Sequence, residues 1–125
     1  MKAKKGEMRT FKSGATRHVD FDKLDYEGFL SPIVLEAYAK YLQKHRVQAD
    51  GKLRDSDNWQ MGIPKDVYVK SLWRHVMDLW KEHRGYESRD GIDDAICGIL
   101  FNAMGYYHEL LKERRNGIKR SRGRR

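Results

Sequence analysis

The sequence is short of the residues on which several classes of protein depend. Its 125 residues include one cysteine, Cys97, and two prolines. A single cysteine excludes an internal disulfide framework and every zinc site built from paired cysteines, and it is typical of a reducing compartment. No run approaches the roughly 18 apolar residues of a membrane-spanning helix, and the lysine-rich start lacks the apolar segment of a signal peptide. We therefore expect a cytoplasmic protein with no membrane partner.

The common catalytic signatures are also missing. The chain has no GxxxxGK[ST] phosphate loop, no GxGxxG turn, no HExxH pair and no GxSxG elbow. Hydrophobic residues make up 39% of the chain and aromatic residues 11%, which is enough to build the core of one domain. The sequence therefore predicts a folded domain whose chemistry uses none of these signatures.

The net charge of +8 is concentrated at the two ends. Residues 1–12 carry +4 and residues 112–125 carry +7, whereas residues 13–111 carry −3. The ends also lack hydrophobic periodicity, which predicts a basic flexible N-terminus over 1–12, a folded domain over 13–111 and an Arg-rich C-terminal end over 112–125. Because no aromatic residues interleave the terminal arginines, that end favours non-specific binding of nucleic acid over base stacking.

Capping residues predict three main helices between the ends. Ser31-Pro32 provides an N-cap and a first-turn proline for a helix over 31–46, and a second helix spans 64–84. Asp90 is the expected N-cap of a third helix over 90–115. The predicted fold class is all-α, a small helical bundle with a long ordered loop. Since three such helices make a thin core, we expect oligomerisation to complete the bundle.

The loop over 47–63 is long for so small a domain, which indicates a task. Trp59 lies in this loop between polar residues that include Arg54 and Asn58. A loop tryptophan can stack on a nucleobase while its neighbours read the base edge, and the alternative is that Trp59 closes the core.

The second helix combines a broad apolar face with a polar stripe. Helical geometry places His75, Asp78 and Glu82 on one side together with Tyr68 and Ser71. Carboxylates one turn apart suit a divalent cation that carries phosphates, with His75 as a further ligand or a proton carrier. The alternative is a solvated helix face. The apolar face consists of Val69, Leu72, Trp73, Val76, Met77, Leu79 and Trp80.

The third helix has a predicted core face and an opposite side that carries glycines. The core face consists of Ile92, Ile96, Ile99, Leu100, Ala103, Tyr107 and Leu110. The opposite side holds Asp94 and Asn102 with Gly98 and Gly105. Interior glycines cost about 1 kcal/mol each relative to alanine, so the close approach of another helix or a ligand is expected there. Asp90, Asp93 and Asp94 either supply further carboxylates or serve as an N-cap and complement the helix dipole.

Several segments, in this order, resemble the dATP/dGTP diphosphohydrolase N-terminal domain of tailed phages, a MazZ-like family related to the all-α MazG pyrophosphohydrolases. They cover about residues 14–111, and both basic ends lie outside them. The segments are Gly14-Ala-Thr-Arg17, Lys23-Leu-Asp-Tyr-Glu-Gly-Phe-Leu-Ser-Pro32, Leu53-Arg-Asp-Ser-Asp-Asn-Trp59, Gly62-Ile-Pro64, Ser71-Leu-Trp-Arg-His75 with Asp78, His83-Arg-Gly-Tyr86, and Phe101-Asn102 with Gly105-Tyr106.

The resemblance implies metal-dependent hydrolysis of dGTP or dATP to the monophosphate and pyrophosphate, with Mg²⁺ or Mn²⁺ as cofactor and Co²⁺ as a further candidate. It implies His75 and Asp78 as catalytic residues, and Asp78, Glu82 and Asp94 as metal ligands. The MazG signature has Glu-x-x-Glu followed by Glu-x-x-Asp, whereas this chain has His75-x-x-Asp78 followed by Asp90-x-x-Asp93, or Asp94 itself. The implied substrate-binding residues are Lys23, Arg54, Asn58, Trp59, Lys70, Arg74 and Asn102.

The same resemblance places the protein in the cytoplasm of an infected bacterial host. The expected partners are a purine deoxynucleoside triphosphate and further copies of the chain. The alternative function is that of a non-catalytic phage accessory protein that binds nucleic acid through its basic termini.

Overall fold

The computed structural model describes residues 8–18 and 23–123. These residues form four α-helices and one small two-stranded sheet, which confirms the all-α fold class. Parts of the predicted flexible ends, residues 1–7 and 124–125, lie outside the described residues. Within the described residues, no helix is long and apolar enough to cross a membrane. The chain divides into two compact units, Met1–Leu35 and Glu36–Arg125.

The first unit contains a hairpin that the sequence analysis did not predict. Strand β1 (Met8–Thr10) pairs antiparallel with β2 (Thr16–His18), and Gly14 takes a φ of +87° in the turn between them. Strands of three residues are too short to show a readable alternation. A short helix, α1 (Tyr26–Phe29), follows, and the Asp25 carboxylate caps it by accepting from the Gly28 backbone N–H at 2.9 Å.

Helix α2 (Pro32–Lys44) begins where Ser31-Pro32 predicted, and the Ser31 hydroxyl accepts from the Val34 N–H at 3.3 Å. The chain then enters the predicted long loop. A bridge between Val47 and Leu53 and a 3₁₀ helix over Asn58–Met61 give this loop regular hydrogen bonds. The long ordered loop is therefore confirmed.

Helices α3 (Lys65–His83) and α4 (Ile92–Gly123) are the longest elements and pack against each other. Helix α3 matches its predicted range to within one residue. Helix α4 continues about eight residues beyond the predicted end, because one interior glycine costs only about 1 kcal/mol and the lysines and arginines around it favour helix. The predicted Asp90 cap is wrong, since α4 starts at Ile92 and Gly91, with φ +89°, directly precedes it.

The two long helices meet through their polar and small residues. A Cβ built at Gly98 would overlap the His75 ring, and one built at Gly105 would overlap the Tyr68 ring. The close helix approach inferred from these glycines is thus confirmed. Tyr68 and Asn102 are buried at this contact, where only 1% and 4% of their surface is exposed.

This packing reverses the orientation predicted for both helices. On α3 the polar stripe faces α4, so the solvated-face interpretation of that stripe is wrong, whereas Trp73 and Trp80 are 65% and 54% exposed. On α4 the predicted core residues Ile96 and Tyr107 are 41% and 57% exposed. The reason is steric, because only the glycine side of α4 allows the two backbones to approach closely.

Helix α2 contacts α4 on another side, near its buried cysteine. The Tyr38 hydroxyl lies 3.6 Å from the Met104 sulfur, and Cys97 is 8% exposed. Burial raises the pKa of Tyr38 to about 12 and also raises the pKa of Cys97. Cys97 is therefore a packing residue held in its thiol form, which does not favour a nucleophilic role.

Candidate functional site

The second unit contains a pocket of about 390 Å³ between the long loop and the helices. The end of α2 and the loop form one wall, and α3 and α4 contribute the other. Its lining residues are Tyr41, Leu42, His45, Arg46, Arg54, Asp55, Ser56, Asn58, Trp59, Ile63, Ser71, His75, Phe101 and Asn102. Five residues that the sequence analysis assigned to a site are therefore brought together here.

A reciprocal contact between Arg46 and Arg54 fixes the start of the loop. The Arg54 backbone N–H donates to the Arg46 carbonyl at 2.8 Å, and the Arg46 Nε–H donates to the Arg54 carbonyl at 2.8 Å. Arg46 also donates from Nη1 to the Gln43 side chain at 3.1 Å. These bonds hold the Arg46 guanidinium and the Arg54 backbone at the pocket wall. Both arginines line the pocket, where their charge favours an anionic ligand.

Trp59 both packs on α4 and lines the pocket. Its ring makes edge contacts with Phe101 and His108 at centroid distances of 6.3 and 4.8 Å. Phe101 in turn contacts Tyr68 at 5.9 Å, so the tryptophan belongs to an aromatic cluster that continues into the α3–α4 interface. Trp59 therefore packs on α4 and also lines the pocket, so its packing role does not exclude stacking on a nucleobase.

His75 and Asn102 form part of the inner wall of the pocket. Burial is the main reason that the pKa of His75 is lowered from 6.5, and the charge of Arg89 contributes in the same direction. The imidazole is therefore neutral at neutral pH and has one nitrogen that can accept a proton. Asn102 donates from Nδ2 to the Gly98 carbonyl at 2.7 Å, which fixes the orientation of its amide.

Asp78 lies one turn beyond His75 and is paired with Arg89. The Asp78 Oδ2 accepts from the Arg89 Nη2 at 2.6 Å and from its Nε at 3.1 Å. The Asp78 side chain is 8% exposed, whereas that of Arg89 is 56% exposed. The hydrogen bond from Arg89 is the largest cause that lowers the pKa of Asp78. Sequence reasoning missed Arg89, because the spacing along the chain does not show which way the connection between α3 and α4 folds.

The connection between α3 and α4 also donates hydrogen bonds to the Glu82 carboxylate. The Glu82 Oε1 accepts from the Ser88 backbone N–H at 3.0 Å and from its hydroxyl at 2.9 Å. The Ser88 oxygen itself accepts from the Gly91 N–H at 3.2 Å. Ser88 and Arg89 thus fold the connection back onto the end of the polar stripe of α3.

Asp94 has its partner on α2. The Lys44 ammonium lies 2.8 and 2.7 Å from the two carboxylate oxygens of Asp94. Both oxygens are thereby engaged, and this ion pair ties the end of α2 to the start of α4.

The predicted metal ligands do not fit a metal ion as they are arranged here. Asp78, Glu82 and Asp94 each bind a different residue of the protein, and the described part of the chain contains no group of three His, Cys, Asp or Glu side chains able to hold a metal. A divalent cation would have to compete with Arg89 for Asp78 and with Lys44 for Asp94. The predicted Mg²⁺ or Mn²⁺ therefore remains a prediction from the resemblance.

The remaining predicted substrate-binding residues lie elsewhere. Lys70 and Arg74 are exposed residues of α3 that do not line this pocket. Lys70 borders a shallow depression that it shares with Lys65 and Tyr106. Lys23 belongs to the first unit.

The pocket also includes residues that sequence reasoning did not single out. Tyr41, His45 and Arg46 come from the last turn of α2 and the residues just after it. Nothing in the local sequence shows that this turn packs beside the loop, because the contact depends on the Lys44–Asp94 pair and the Arg46–Arg54 pair. In the sequence, only the polar loop that follows α2 indicated that a site lies near these residues.

The chain matches no protein-family model, no curated protein and no solved structure. The interpretation of the pocket accordingly depends on its own geometry and on the resemblance of the sequence segments.

Proposed function

We propose that the protein hydrolyses a purine deoxynucleoside triphosphate, dGTP or dATP, to the monophosphate and pyrophosphate in the cytoplasm of an infected bacterium. One observation carries the proposal: the pocket gathers Trp59, Asn58 and Arg54 from the loop with His75 and Asn102 from the helices. A volume of about 390 Å³ lies within the range of roughly 300 to 1,000 Å³ that small-ligand sites occupy.

The pocket has the chemistry that a purine base requires. Trp59 offers an aromatic surface, and stacking of a base on an aromatic ring contributes about 1–3 kcal/mol. Asn58 and Asn102 offer amides that can donate to and accept from a base edge. Because the Asn102 amide is already oriented by the Gly98 carbonyl, it would bind without further loss of side-chain freedom.

The cations at the pocket wall suit a polyphosphate. Arg46 and Arg54 line the wall, and a guanidinium group can bind phosphate oxygens through two hydrogen bonds. The bond to the Arg54 carbonyl would hold the Arg46 guanidinium in place before the substrate binds. In this proposal they neutralise charge that develops on the phosphates during hydrolysis.

His75 is the proposed general base. Its neutral imidazole could take a proton from the attacking water, and Asp78, one turn away, would stabilise the imidazolium that results. Asp78 also holds Arg89 close to this position. We assign this electrostatic role to Asp78 alone, since the positive charge of Arg89 acts against the imidazolium. We derive no step through a metal ion, since the described carboxylates form no metal site.

The test is pyrophosphate release from each of the eight common nucleoside and deoxynucleoside triphosphates, measured with Mg²⁺, Mn²⁺, Co²⁺ and EDTA. We expect a purine deoxynucleotide to be turned over, and His75→Gln and Asp78→Asn to reduce kcat at least 100-fold, in the range that general-base catalysis contributes. Asp66→Asn, an exposed aspartate of the same helix, is the matched control. Absence of turnover with every nucleotide, or an unchanged rate in Asp78→Asn, would contradict the proposal.

A second candidate function is supported by the length of α4. The helix continues to Gly123, so the Arg-rich C-terminal end is helical as far as that residue, and a basic segment of this composition suits the phosphates of a nucleic acid. Lys112 contacts the Gln60 carbonyl and Glu113 pairs with Lys65, so a deletion should start after these residues. Deleting 118–125 should abolish salt-dependent nucleic acid binding if this function is correct and leave nucleotide hydrolysis unchanged if the first is correct.

A further inference from the structure

The side of α4 that faces away from α3 is an apolar surface that the rest of the second unit leaves largely exposed. We call it the outer face of α4 and define it by Ile96, Leu100, Ala103, Tyr107 and Leu111. Their spacing of four, three, four and four residues keeps them on one side of the helix, as in the seam of a helix pair. Ile96, Tyr107 and Leu111 are 41%, 57% and 48% exposed.

An exposed apolar seam of this length indicates a binding surface. From Ile96 to Leu111 it extends over 16 residues, which is about 24 Å of helix. The glycine side of the same helix is already used against α3, so the outer face has no role in the α3–α4 contact. Soluble monomers rarely leave a continuous apolar surface of this kind uncovered.

Charged residues at the two ends of the outer face of α4 indicate which partner binds it. Asp93 lies at its start and Arg114 at its end, on the same side of the helix, and neither forms an ion pair with another residue in the described part of the chain. Two copies of α4 placed antiparallel across a two-fold axis bring Asp93 of each copy opposite Arg114 of the other. The surface is thus complementary to itself, as a two-fold symmetric interface requires.

The same register pairs the apolar residues. It places Ile96 opposite Leu111 and Leu100 opposite Tyr107, and it leaves the small residue Ala103 near the axis, where the helices cross. A small residue at the crossing lets two helices approach closely, while the larger residues pack on either side. We propose that the protein is a dimer in which the outer faces of α4 pair antiparallel in this register. This proposal is independent of the proposed catalytic function.

The test is the mass of the full chain in solution, measured by sedimentation equilibrium. We expect the mass of two copies for the wild type and a shift to one copy for Ile96→Glu, because two buried glutamates would face the partner's Leu111. Trp73→Glu, on the outer side of α3, is the matched control and should keep the mass of two copies. A monomeric wild type, or an Ile96→Glu variant with the wild-type mass, overturns the proposal.

Charge exchange tests the register with substitutions that remain on the surface. Asp93→Arg alone and Arg114→Asp alone should each raise the dimer dissociation constant about tenfold, because each places like charges opposite one another twice per dimer. The double variant should restore the wild-type value. Arg74→Asp, an exposed site on α3, is the control. Single variants that dimerise as tightly as wild type, or a double variant without restoration, overturn the antiparallel register.

Discussion

The His75 ring occupies the space that a side chain at position 98 would need, so His75 and Gly98 form a matched pair at the α3–α4 contact. The absence of a side chain at position 98 lets the polar stripe of α3 lie against the backbone of α4. This contact half-buries His75 and lowers its pKa, and it places the ring at the wall of the pocket. A packing feature thereby positions the proposed general base.

Gly98→Ala should therefore destabilise the protein. The added methyl group would overlap the His75 ring, and inserting a methylene into a packed contact costs about 1–3 kcal/mol. The helix propensity of alanine recovers about 1 kcal/mol of this. We expect a net loss of about 1 kcal/mol in the free energy of unfolding, measured by urea denaturation.

The matched control is Gly117→Ala in the same helix. A Cβ at Gly117 has no neighbour within 4 Å, so only the helix propensity changes and the variant should gain about 1 kcal/mol. Equal effects of the two substitutions would show that the His75–Gly98 contact does not constrain the helices.

Tyr68→Phe should stabilise the protein or leave it unchanged. The Tyr68 hydroxyl is buried and has no hydrogen-bond partner among the described residues. A buried unpaired polar group costs about 1–3 kcal/mol, so its removal should add about 1 kcal/mol to the free energy of unfolding. Thermal unfolding followed by circular dichroism measures the change. A loss greater than 1 kcal/mol would show that the hydroxyl has a partner.

The Asp78–Arg89 pair should make stability depend on acid pH. Arg89 holds the pKa of Asp78 below the usual 3.8, so the unfolded chain binds the proton more readily than the folded one. The stabilisation is fully present above about pH 4 and is lost as the pH falls through the lowered pKa. Arg89→Gln should therefore be less stable than wild type at pH 7, and this difference should shrink towards pH 2.

Urea denaturation at pH 7, 4 and 2 measures this difference. Arg74→Gln removes an exposed arginine of α3 that does not pair with Asp78, and it should follow the wild-type pH profile. A constant difference between Arg89→Gln and wild type across the pH range would show that the lost packing of Arg89, rather than its charge, causes the destabilisation.

Trp59→Leu should weaken nucleotide binding roughly 5- to 150-fold, because a stacked base contributes about 1–3 kcal/mol. Binding of dGTP and dATP is measured by calorimetry in EDTA, which keeps the result separate from any metal requirement. Trp73→Leu, an exposed tryptophan outside the pocket, should bind like wild type. Equal affinity in the two variants would exclude Trp59 from base recognition.

Local signals in the sequence were sufficient to predict the main helices and the long loop. Ser31-Pro32 and Pro64 set the helix starts because capping and the fixed φ of proline act within a few residues. The composition of the long loop pointed to Arg54, Asn58 and Trp59, which all line the pocket. The glycines of α4 predicted a close neighbour, and α3 is that neighbour.

The orientation of the helices could not be predicted in the same way. Both α3 and α4 have a broad apolar face, and hydrophobicity alone assigns such a face to the core. In the folded chain the glycine contact turns those faces outward, because the closest backbone approach is available only on the side of Gly98 and Gly105. Which side of each helix packs inward therefore depends on the shapes of both helices together.

By itself the sequence determined the fold class, the three main helices, the ordered loop and the glycine-marked contact, since each depends on residues near one another in the chain. Only the tertiary structure decided that Asp78 pairs with Arg89 and Asp94 with Lys44, and that Arg46 and Arg54 share the pocket wall. These pairings join residues 8 to 50 positions apart. Their distances are set by the connections between elements, and no periodicity within one element specifies them.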